Sequence, residues 1–399
     1  MSTSPLRSPS ATPAARAVPG ERSVPVPASI PFGPEQLDAQ WLTEALREGG
    51  ALRDAAVREA TIERIGAQQA FAGQTVRVRL AYDREEPAAP RTLVAKFPAA
   101  DATLRRALAG LRWYESELRF YDQLAARSAI RTPQRLFSAM DRARGEYVLL
   151  LEEVTAGPVG DQLAGASAEQ ARIVVQQLAR FHAGWWADPR LNALGWLAVG
   201  AVRRAQGAEG WQQYYGRAWP AVRPVARALL AAGEFERLDA IAGRLVCCYA
   251  SIVRASAEPP RTLLHGDCRL DNVFFPADRS PPVFIDFQLL SRARGPYDLA
   301  YFLGTNLEPT LRRQLEDELL RTYHAAIATA AAGGYDLDAC RRDYRLGLLL
   351  AFGFWVQSAG AGTFPAAARP LRDVALRRLA LALIDLDAEA LLAEFERAG

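Results

Sequence analysis

The sequence predicts an α+β fold of two lobes, a β-rich N-terminal lobe followed by a mostly helical C-terminal lobe. Strand patterns dominate residues 61–97 and 135–152, whereas the chain beyond them is largely helical and is interrupted by one strand-rich stretch, 262–287. A chain of 399 residues is long enough for two lobes with a cleft between them. We therefore divide the chain into a tail, an N-lobe and a C-lobe, which span residues 1–33, 34–153 and 154–399.

The tail is rich in Pro, Ser, Ala and Arg, and we expect it to be disordered. The first 34 residues hold eight of the 25 prolines of the chain. Such a segment has too little apolar surface to offset the entropy that ordering would cost. It also lacks the apolar core of about 7–15 residues that a secretory signal needs.

Composition excludes several classes of partner. The net charge is only +3, with no basic stripe of the kind that nucleic-acid binding needs. The longest apolar run, Leu346–Val356, is too short to span a bilayer and predicts a buried helix. The four cysteines show no metal-ligand spacing, which fits a reduced compartment. We therefore expect a cytoplasmic protein without a nucleic-acid or membrane partner.

The N-lobe is predicted to alternate helices and strands. A short helix over Pro34–Gly49 precedes the strands, and one long helix over 102–126 follows the third strand. The segments predicted as strands are Thr61–Ile65, Thr75–Leu80, Thr92–Phe97 and a hairpin of Arg135–Met140 with Tyr147–Glu152.

A second hairpin in the C-lobe carries the polar residues of greatest interest. Val273–Phe275 and Val283–Ile285 are short apolar strands joined by a Pro- and Asp-rich turn. The start of the first strand and the end of the second lie side by side in a hairpin, which places Asn272 and Asp286 within reach of one cation. Asp267 lies on the loop that enters the hairpin. An amide oxygen and carboxylates are hard ligands suited to Mg²⁺, so we expect a magnesium site here.

Lys96 is the single lysine among 48 basic residues; the other 47 are arginines. A GC-rich genome would replace Lys by Arg wherever only the charge matters. The surviving lysine therefore marks a position that needs a compact ammonium, unless it survived by chance.

The segments Leu264–Phe275 and Val283–Gln288 resemble a known family. The run His265-Gly-Asp-Cys-Arg-Leu-Asp-Asn272, followed by Ile285-Asp-Phe, resembles the aminoglycoside phosphotransferase and choline kinase superfamily. Together with Tyr297–Leu303, these motifs are most similar to those of its ecdysteroid-kinase-like branch. The resemblance covers roughly residues 60–360 and implies a bilobal protein-kinase-like fold.

The resemblance implies roles for the residues of the catalytic loop, 265–272. Asp267 would be the catalytic base, and Asn272 and Asp286 would hold Mg²⁺ that bridges nucleotide phosphates. His265 and Gly266 would shape the loop. Asp298 would cap the following helix and steady that loop. Roles for Arg269 and Asp271 stay open.

The resemblance also implies nucleotide-binding parts in the N-lobe. Lys96 occupies the position of the phosphate-binding lysine. Its partner is expected to be Glu117, which projects from an apolar helix face and needs a counter-charge, with Glu115 as the alternative. Gly66 and Gly73 bound the loop at the position of the nucleotide loop, although G-x-G-x-x-G is absent. The backbone around Glu152 and Val154 would meet the base.

These residues predict a small-molecule O-kinase. It would transfer the γ-phosphate of Mg-bound ATP, or GTP, to a hydroxyl of a metabolite, natural product or antibiotic. The acceptor pocket would lie in the C-lobe, with the aromatic run Trp211–Tyr215 as candidate lining. One alternative is a catalytically silent pseudokinase that binds a nucleotide or ligand. A protein kinase fits less well, because Asp286-Phe-Gln replaces Asp-Phe-Gly and no Ala-Pro-Glu follows.

Overall fold

The computed structural model describes residues 29–65, 73–201, 207–361 and 366–398. Most of the predicted tail, residues 1–28, lies outside the described residues. Residues 29–33 differ from the prediction, because they pack against the N-lobe: Ile30 is buried, and the indole N–H of Trp41 donates to the carbonyl of Ser29 at 3.1 Å. Burial of the apolar side chain at position 30 accounts for the packing of this segment against the N-lobe.

The N-lobe is built on an antiparallel five-stranded sheet in the order β1-β2-β3-β5-β4. Its strands are β1 (Val57–Arg64), β2 (Gly73–Tyr82), β3 (Thr92–Pro98), β4 (Arg135–Asp141) and β5 (Glu146–Glu152). Helix α1 (Ala39–Glu48) covers one face. It begins at Asp38, whose carboxylate accepts the backbone N–H of Trp41 at 2.7 Å.

The long helix expected over 102–126 is broken. The chain forms α2 (Ala102–Gly110) and α3 (Trp113–Arg119), followed by a π-helical turn (Phe120–Leu124) and a 3₁₀ turn (Ala125–Arg127). The break lies at Arg112, which adopts a left-handed φ of 58°. Gly110, a poor helix former, precedes it. The apolar periodicity continues through the break, so the sequence pattern predicted one helix where the backbone forms four shorter helical segments.

The C-lobe is mostly helical. Its α-helices are α4 (Ala168–Gly184), α5 (Arg190–Ala193), α6 (Gly207–Leu229), α7 (Ala232–Ser256), α8 (Pro296–Asn306), α9 (Pro309–Ala330), α10 (Leu337–Gly360), α11 (Arg369–Asp385) and α12 (Ala388–Ala398). The run Leu346–Val356 lies within α10 and is buried apart from half-buried Phe354, as its apolar composition predicts. Within the described ranges, no helix is both long and apolar enough to cross a membrane.

Short strands interrupt the C-lobe helices in the predicted strand-rich stretch, 262–287, and also outside it, at 198–199 and 291–293. Strands β6 (Ala198–Val199), β10 (Ser291–Ala293) and β7 (Thr262–Leu264) form one small sheet, and β8 (Val273–Phe274) pairs with β9 (Val283–Phe284). The catalytic loop thus lies between β7 and β8.

Two hydrophobic cores meet at β5. Val148 and Leu150 belong to the N-lobe core beneath α1, whereas Tyr147, Leu149 and Leu151 belong to the larger core that continues through the C-lobe. Successive side chains of a strand point to opposite faces, so a continuous apolar run lets β5 contribute to both cores.

Candidate active site

The β8–β9 hairpin brings Asn272 and Asp286 to its open end. Val273 lies opposite Phe284, and the backbone N–H of Ile285 donates to the carbonyl of Asn272 at 3.0 Å. Asp286 is the next residue along the chain, so the amide and the carboxylate leave the hairpin at the same end. The strand register therefore produces the juxtaposition that the sequence predicts.

Asp286 has an unusual backbone and a charged neighbour. Its φ of 67° lies in the left-handed region, which few residues other than glycine adopt. Its Oδ1 lies 3.4 Å from Nζ of Lys96. Burial alone would raise the pKa of Asp286. Electrostatic interactions with Lys96, Arg269 and His265 outweigh burial, so the pKa of Asp286 lies below the usual value. The carboxylate is thus kept ionised.

Lys96 joins the N-lobe to this hairpin. It lies on β3 opposite Thr75 and Leu149, and its Nζ lies 2.6 Å from Oε1 of Glu117 on α3. Burial would lower the pKa of Lys96, but the charges of Asp286 and Glu117 outweigh it and raise the pKa. The ammonium therefore stays protonated between two carboxylates.

The structure chooses between the two predicted partners of Lys96. Glu117 is fully buried and bonds the lysine. Glu115 instead lies among arginines, 2.9 Å from Arg119 and 3.3 Å from Arg142. Residues two apart on a helix point to different sides, which separates the two glutamates. The alternative of Glu115 is therefore wrong.

The two oxygens of Asp267 have different partners. The hydroxyl of Tyr301 on α8 donates to Oδ1 at 2.7 Å. Nδ2 of Asn272 donates to Oδ2 at 3.3 Å, and Nε of Arg269 lies 3.3 Å from the same oxygen. The Asp267 side chain remains 17% exposed. A carboxylate held in this way is fixed in orientation and still open to an acceptor molecule.

Arg269 and Asp271, whose roles the sequence leaves open, continue this cluster. Nη1 of Arg269 lies 3.5 Å from Oδ2 of Asp271, and the Arg269 side chain is 10% exposed. Burial would lower the pKa of Arg269, but Asp267, Tyr301 and Asp271 together raise it. Arg269 thus acts as a permanent positive charge between two aspartates of the catalytic loop.

His265 and Gly266 shape the loop, as the resemblance implies. Nε2 of His265 lies 3.0 Å from the carbonyl of Ile285, which ties the loop to the hairpin. Gly266 has a φ of 86°, and a Cβ there would lie 2.3 Å from the carbonyl oxygen of Leu289. Only glycine fits this position without displacing the backbone.

Asp298 steadies the catalytic loop but does not cap its helix. The residue before the first turn of α8 is Gly295, and no side chain bonds there. The buried carboxylate of Asp298 instead accepts the backbone N–H groups of His265 at 2.6 Å and Gly266 at 2.9 Å. Nε2 of His182 lies 3.1 Å from it. The capping role is wrong because Asp298 already lies inside the helix.

Of the other predicted nucleotide contacts, the structure describes Gly73, Glu152 and Val154. Gly66 and the loop after it fall outside the described residues. Gly73 begins β2, and a Cβ there would lie 2.4 Å from the carbonyl oxygen of Phe97, so the approach of β3 already requires glycine. Glu152 ends β5, where its carboxylate accepts the backbone N–H of Gln134 at 3.0 Å. Val154 follows β5 at the junction of the lobes.

The structure adds residues that the sequence did not reveal. Nε2 of Gln288 donates to Oε2 of Glu117 at 3.4 Å, so the residue that replaces the glycine of Asp-Phe-Gly holds the helix glutamate. Tyr301 lies in a run that the sequence singles out, but its spacing gives no sign of a bond to Asp267. Trp211 and Tyr214 of the candidate acceptor lining are half-buried, whereas Tyr215 is buried and stacks on Tyr249 with ring centroids 5.1 Å apart.

The donor set fits a divalent cation that also binds phosphate. The amide nitrogen of Asn272 is engaged by Asp267, and among the described residues no hydrogen bond occupies its Oδ1. The carboxylates of Asp267, Asp271, Asp286 and Glu117 outnumber the cations of Lys96 and Arg269 by two charges. No group of three or more His, Cys, Asp or Glu side chains in the described ranges could hold a metal alone. A magnesium ion held by one amide and one or two carboxylates keeps positions for phosphate oxygens.

Comparison with known proteins decides the family. The sequence model of the ecdysteroid kinase-like family matches residues 67–332, well over half of the chain. The chain belongs to the ecdysteroid kinase-like family. Membership confirms the resemblance and the predicted class of enzyme, a phosphotransferase. No match is found among curated protein sequences.

Solved structures share the fold at low sequence identity. Choline kinase from Cryptosporidium parvum Iowa II superposes with a TM-score of 0.50 and 8% identity, over 90% of this chain and 99% of that chain. The GDP and kanamycin complex of APH(2″)-IIIa gives 0.49 and 17%, over 90% and 99%. Macrolide 2′-phosphotransferase from Brachybacterium faecium gives 0.46 and 17%, over 84% and 98%. The choline kinase likeness confirms the bilobal kinase-like fold of this ecdysteroid kinase-like protein.

Proposed function

We propose that this protein is a small-molecule kinase that transfers the γ-phosphate of a Mg-bound nucleotide, in the first place ATP, to a hydroxyl of a small acceptor. One observation carries the proposal. Nζ of Lys96 lies between Glu117, at 2.6 Å, and Asp286, at 3.4 Å. Asp286 in turn leaves the same end of the hairpin as Asn272. Such a cluster supplies the positioning and charge that phosphoryl transfer requires.

The donor half of the site is Lys96 with its two carboxylates. Glu117 is fully buried, so its bond fixes the direction of the ammonium. Lys96 keeps a side-chain exposure of 13%, which leaves it accessible to the phosphates of a nucleotide. Its raised pKa keeps it protonated at neutral pH. Lys96 would therefore orient the phosphates and offset their charge.

Asn272 and Asp286 would hold the magnesium ion. When bound, Mg²⁺ would supply positive charge that offsets the negative charge of the nucleotide phosphates. Asp286 suits this role because its pKa lies below the usual value, so it binds as a carboxylate. Asn272 suits it because its amide nitrogen is turned to Asp267, and its oxygen lies on the opposite side of the amide group.

Asp267 would receive or orient the proton of the acceptor hydroxyl. Tyr301 donates to Oδ1 at 2.7 Å and Asn272 donates to Oδ2 at 3.3 Å, while the charged group of Arg269 lies 3.3 Å from Oδ2. A base whose rotamer is fixed in this way meets the geometric requirement for general base catalysis. The acceptor is proposed to be a hydroxylated metabolite, natural product or antibiotic, bound in the C-lobe.

The proposal is tested by nucleotide consumption with a panel of alcohols, aminoglycosides, nucleosides and macrolides, with ATP and GTP each in the presence and absence of Mg²⁺. We expect metal-dependent turnover with at least one acceptor. Asp267→Asn should lower kcat by about 10²–10⁴-fold, the usual contribution of a general base, and should leave nucleotide binding nearly intact. Asp278→Asn, an exposed aspartate on the turn of the same hairpin, is the matched control.

The main alternative is a pseudokinase that binds a nucleotide or ligand without turnover. The presence of Lys96, Asp267, Asn272 and Asp286 in one cluster argues against it. Saturable nucleotide binding without phosphoryl transfer to any acceptor would support that alternative. Full activity of Asp267→Asn would remove Asp267 from the mechanism.

A further inference from the structure

Arg378 on α11 is a buried arginine that joins two segments of the C-lobe. Its side chain is 1% exposed. Nη1 donates to the carbonyls of Gln162 at 2.6 Å and Thr305 at 3.0 Å. Nη2 donates to the carbonyl of Leu163 at 3.2 Å and to Glu308 at 2.5 Å, and Nε donates to the same Glu308 oxygen at 3.0 Å. All three nitrogens are thus used, and three of the five bonds end on backbone carbonyls.

One of these segments leads to the catalytic loop through the end of α8. Thr305, whose carbonyl Arg378 holds, is followed by Asn306. The side-chain oxygen of Asn306 accepts the backbone N–H of Leu270 at 2.8 Å. Leu270 lies between Asp267 and Asn272, so the position of the C-terminal turn of α8 determines where the middle of the catalytic loop lies.

The other segment leads to the same loop through a carboxylate. The backbone N–H of Gln162 donates to Oδ1 of Asp271 at 3.0 Å. Asp271 pairs with Arg269 at 3.5 Å, and Arg269 pairs with Asp267 at 3.3 Å. Arg378 therefore holds the carbonyl of Gln162, and the N–H of the same residue orients Asp271.

A planar guanidinium can bind carbonyls of both segments from one buried position. A buried charge is costly unless it is paired and hydrogen-bonded, and the one carboxylate partner, Glu308, is 55% exposed. A forked set of five donors can satisfy carbonyls from two chain segments at once, which a lysine ammonium cannot match. We propose that Arg378 is a positioning residue that sets the catalytic loop, and with it Asp267, from a helix beyond the family match at residues 67–332. This inference rests on the proposed function.

Arg312 on α9 offers a matched control. Its side chain is also 1% exposed, and it bonds Glu316 at 2.7 Å and Asp385. Its partners are carboxylates on α9 and at the end of α11, and within the described part of the chain its side chain makes no hydrogen bond to the catalytic loop or to the residues that hold it. Substituting Arg312 thus removes a buried arginine of equal exposure without either route described above.

The experiment compares Arg378→Lys and Arg378→Met with Arg312→Lys and Arg312→Met in the full chain, below the melting temperature of each variant. We expect Arg378→Lys to lower kcat by about 10–100-fold, as loss of groups that orient a functional residue commonly does, with KM for the nucleotide nearly unchanged. Arg378→Met should lower it further. The Arg312 pair should lose melting temperature while keeping kcat near the wild-type value.

A second measurement does not depend on turnover. Hydrogen exchange of the backbone amides of Gln162 and Leu270 should accelerate in Arg378→Lys and stay unchanged in Arg312→Lys. If the wild type transfers phosphate to no acceptor, the proposed function fails, but this exchange still tests the positioning role. Wild-type kcat together with wild-type exchange in Arg378→Lys would overturn the inference, as would equal losses of kcat in Arg312→Lys. If Arg378→Met does not fold, the two lysine variants decide.

Discussion

Asp267 differs from an ordinary surface aspartate in the number and direction of its donors. Tyr301 bonds Oδ1 from α8, whereas Asn272 and Arg269 approach Oδ2 from within the loop. Tyr301 is buried, and its pKa lies well above the usual value because of burial and the nearby charge of Asp267. The phenol therefore remains a proton donor at all working pH values, and its hydrogen bond orients the carboxylate of Asp267.

We predict that Tyr301→Phe lowers kcat by about tenfold or more with KM for the nucleotide nearly unchanged, because the substitution removes the 2.7 Å hydrogen bond that orients Oδ1 of Asp267. Tyr297→Phe, one turn earlier on α8 and also buried, is the control and should keep kcat near the wild-type value. Steady-state kinetics of the two folded variants measures the difference. An unchanged kcat in Tyr301→Phe would contradict this role.

A second prediction at the same scale concerns Lys96, the lone lysine. Lys96→Arg should reduce kcat/KM for the nucleotide by at least about a hundredfold, as the loss of one transition-state donor of roughly 2.7–4 kcal/mol would. Lys96→Met should be similarly impaired. The ammonium fits between Glu117 and Asp286 at 13% exposure, and a broader planar guanidinium would displace one of them.

The measurement is steady-state kinetics at saturating acceptor, with thermal melts to show that both Lys96 variants fold. The control is Arg77→Lys on the neighbouring strand β2, which replaces an arginine by a lysine and should leave kcat/KM for the nucleotide near the wild-type value. A folded Lys96→Arg protein with near-native kcat/KM would make the lone lysine an accident of composition.

The sequence alone identifies some residues of the site but not others. A single lysine in a strand indicates a position that needs an ammonium, and an acid on an apolar helix face needs a counter-charge, so Lys96 and Glu117 could be paired from the sequence. Tyr301 and Arg378 belong to residue types that are common in helices here, and their partners lie 34 and 216 positions away in sequence. Only the packed fold brings such groups together.

Among the structural elements, the first turn of α8 has an unusual role. Asp298 accepts two backbone N–H groups of the loop that carries Asp267, and His182 bonds it from α4. The backbone of the loop thus depends on a buried carboxylate that lies 32 and 33 residues beyond the two residues it binds.

We predict that Asp298→Asn lowers kcat by about tenfold or more and lowers the melting temperature, because an amide can accept only one of the two N–H bonds and its NH₂ would face a donor. Asp343→Asn is the control: Asp343 is buried too, but it bonds Arg294 and Tyr335. It should lose stability with little change in kcat per folded molecule. Equal effects of the two substitutions on kcat would argue that Asp298 is only structural.

The elements themselves were predictable where local pattern and final structure agree. Both hairpins follow from apolar segments and the turn residues between them, and so does the placement of Asn272 beside Asp286. The irregular register of the first hairpin between Arg135 and Phe137 does not follow from that pattern. The helix break at Arg112 was not predictable, because apolar residues at helical spacing, Leu108, Leu111 and Tyr114, continue across it. The break depends on backbone geometry that no side-chain pattern records.

At the scale of the whole molecule, charged pairs span the two lobes. Lys96 of the N-lobe meets Asp286 of the C-lobe, in the same place where a nucleotide would bind. We predict that Mg-nucleotide raises the melting temperature, since a ligand at 100 times its Kd adds about 2.7 kcal/mol to the free energy of unfolding.

Thermal melts with ATP or GTP, with and without Mg²⁺, measure this effect and the base preference together. Asp286→Ala should abolish the Mg-dependent part of the shift, and Asp267→Asn should retain it, because Asp267 is proposed to act on the acceptor. A full shift in Asp286→Ala would show that the metal is held elsewhere.

The burial of β5 on both faces affects how the chain folds. Val148 and Leu150 are buried in one core, and Tyr147, Leu149 and Leu151 are buried in the other. A fragment that ended at residue 153 would expose the second face of β5 to water and would tend to aggregate. We therefore expect that the N-lobe expressed alone is not a stable domain, because only the C-lobe helices bury that face.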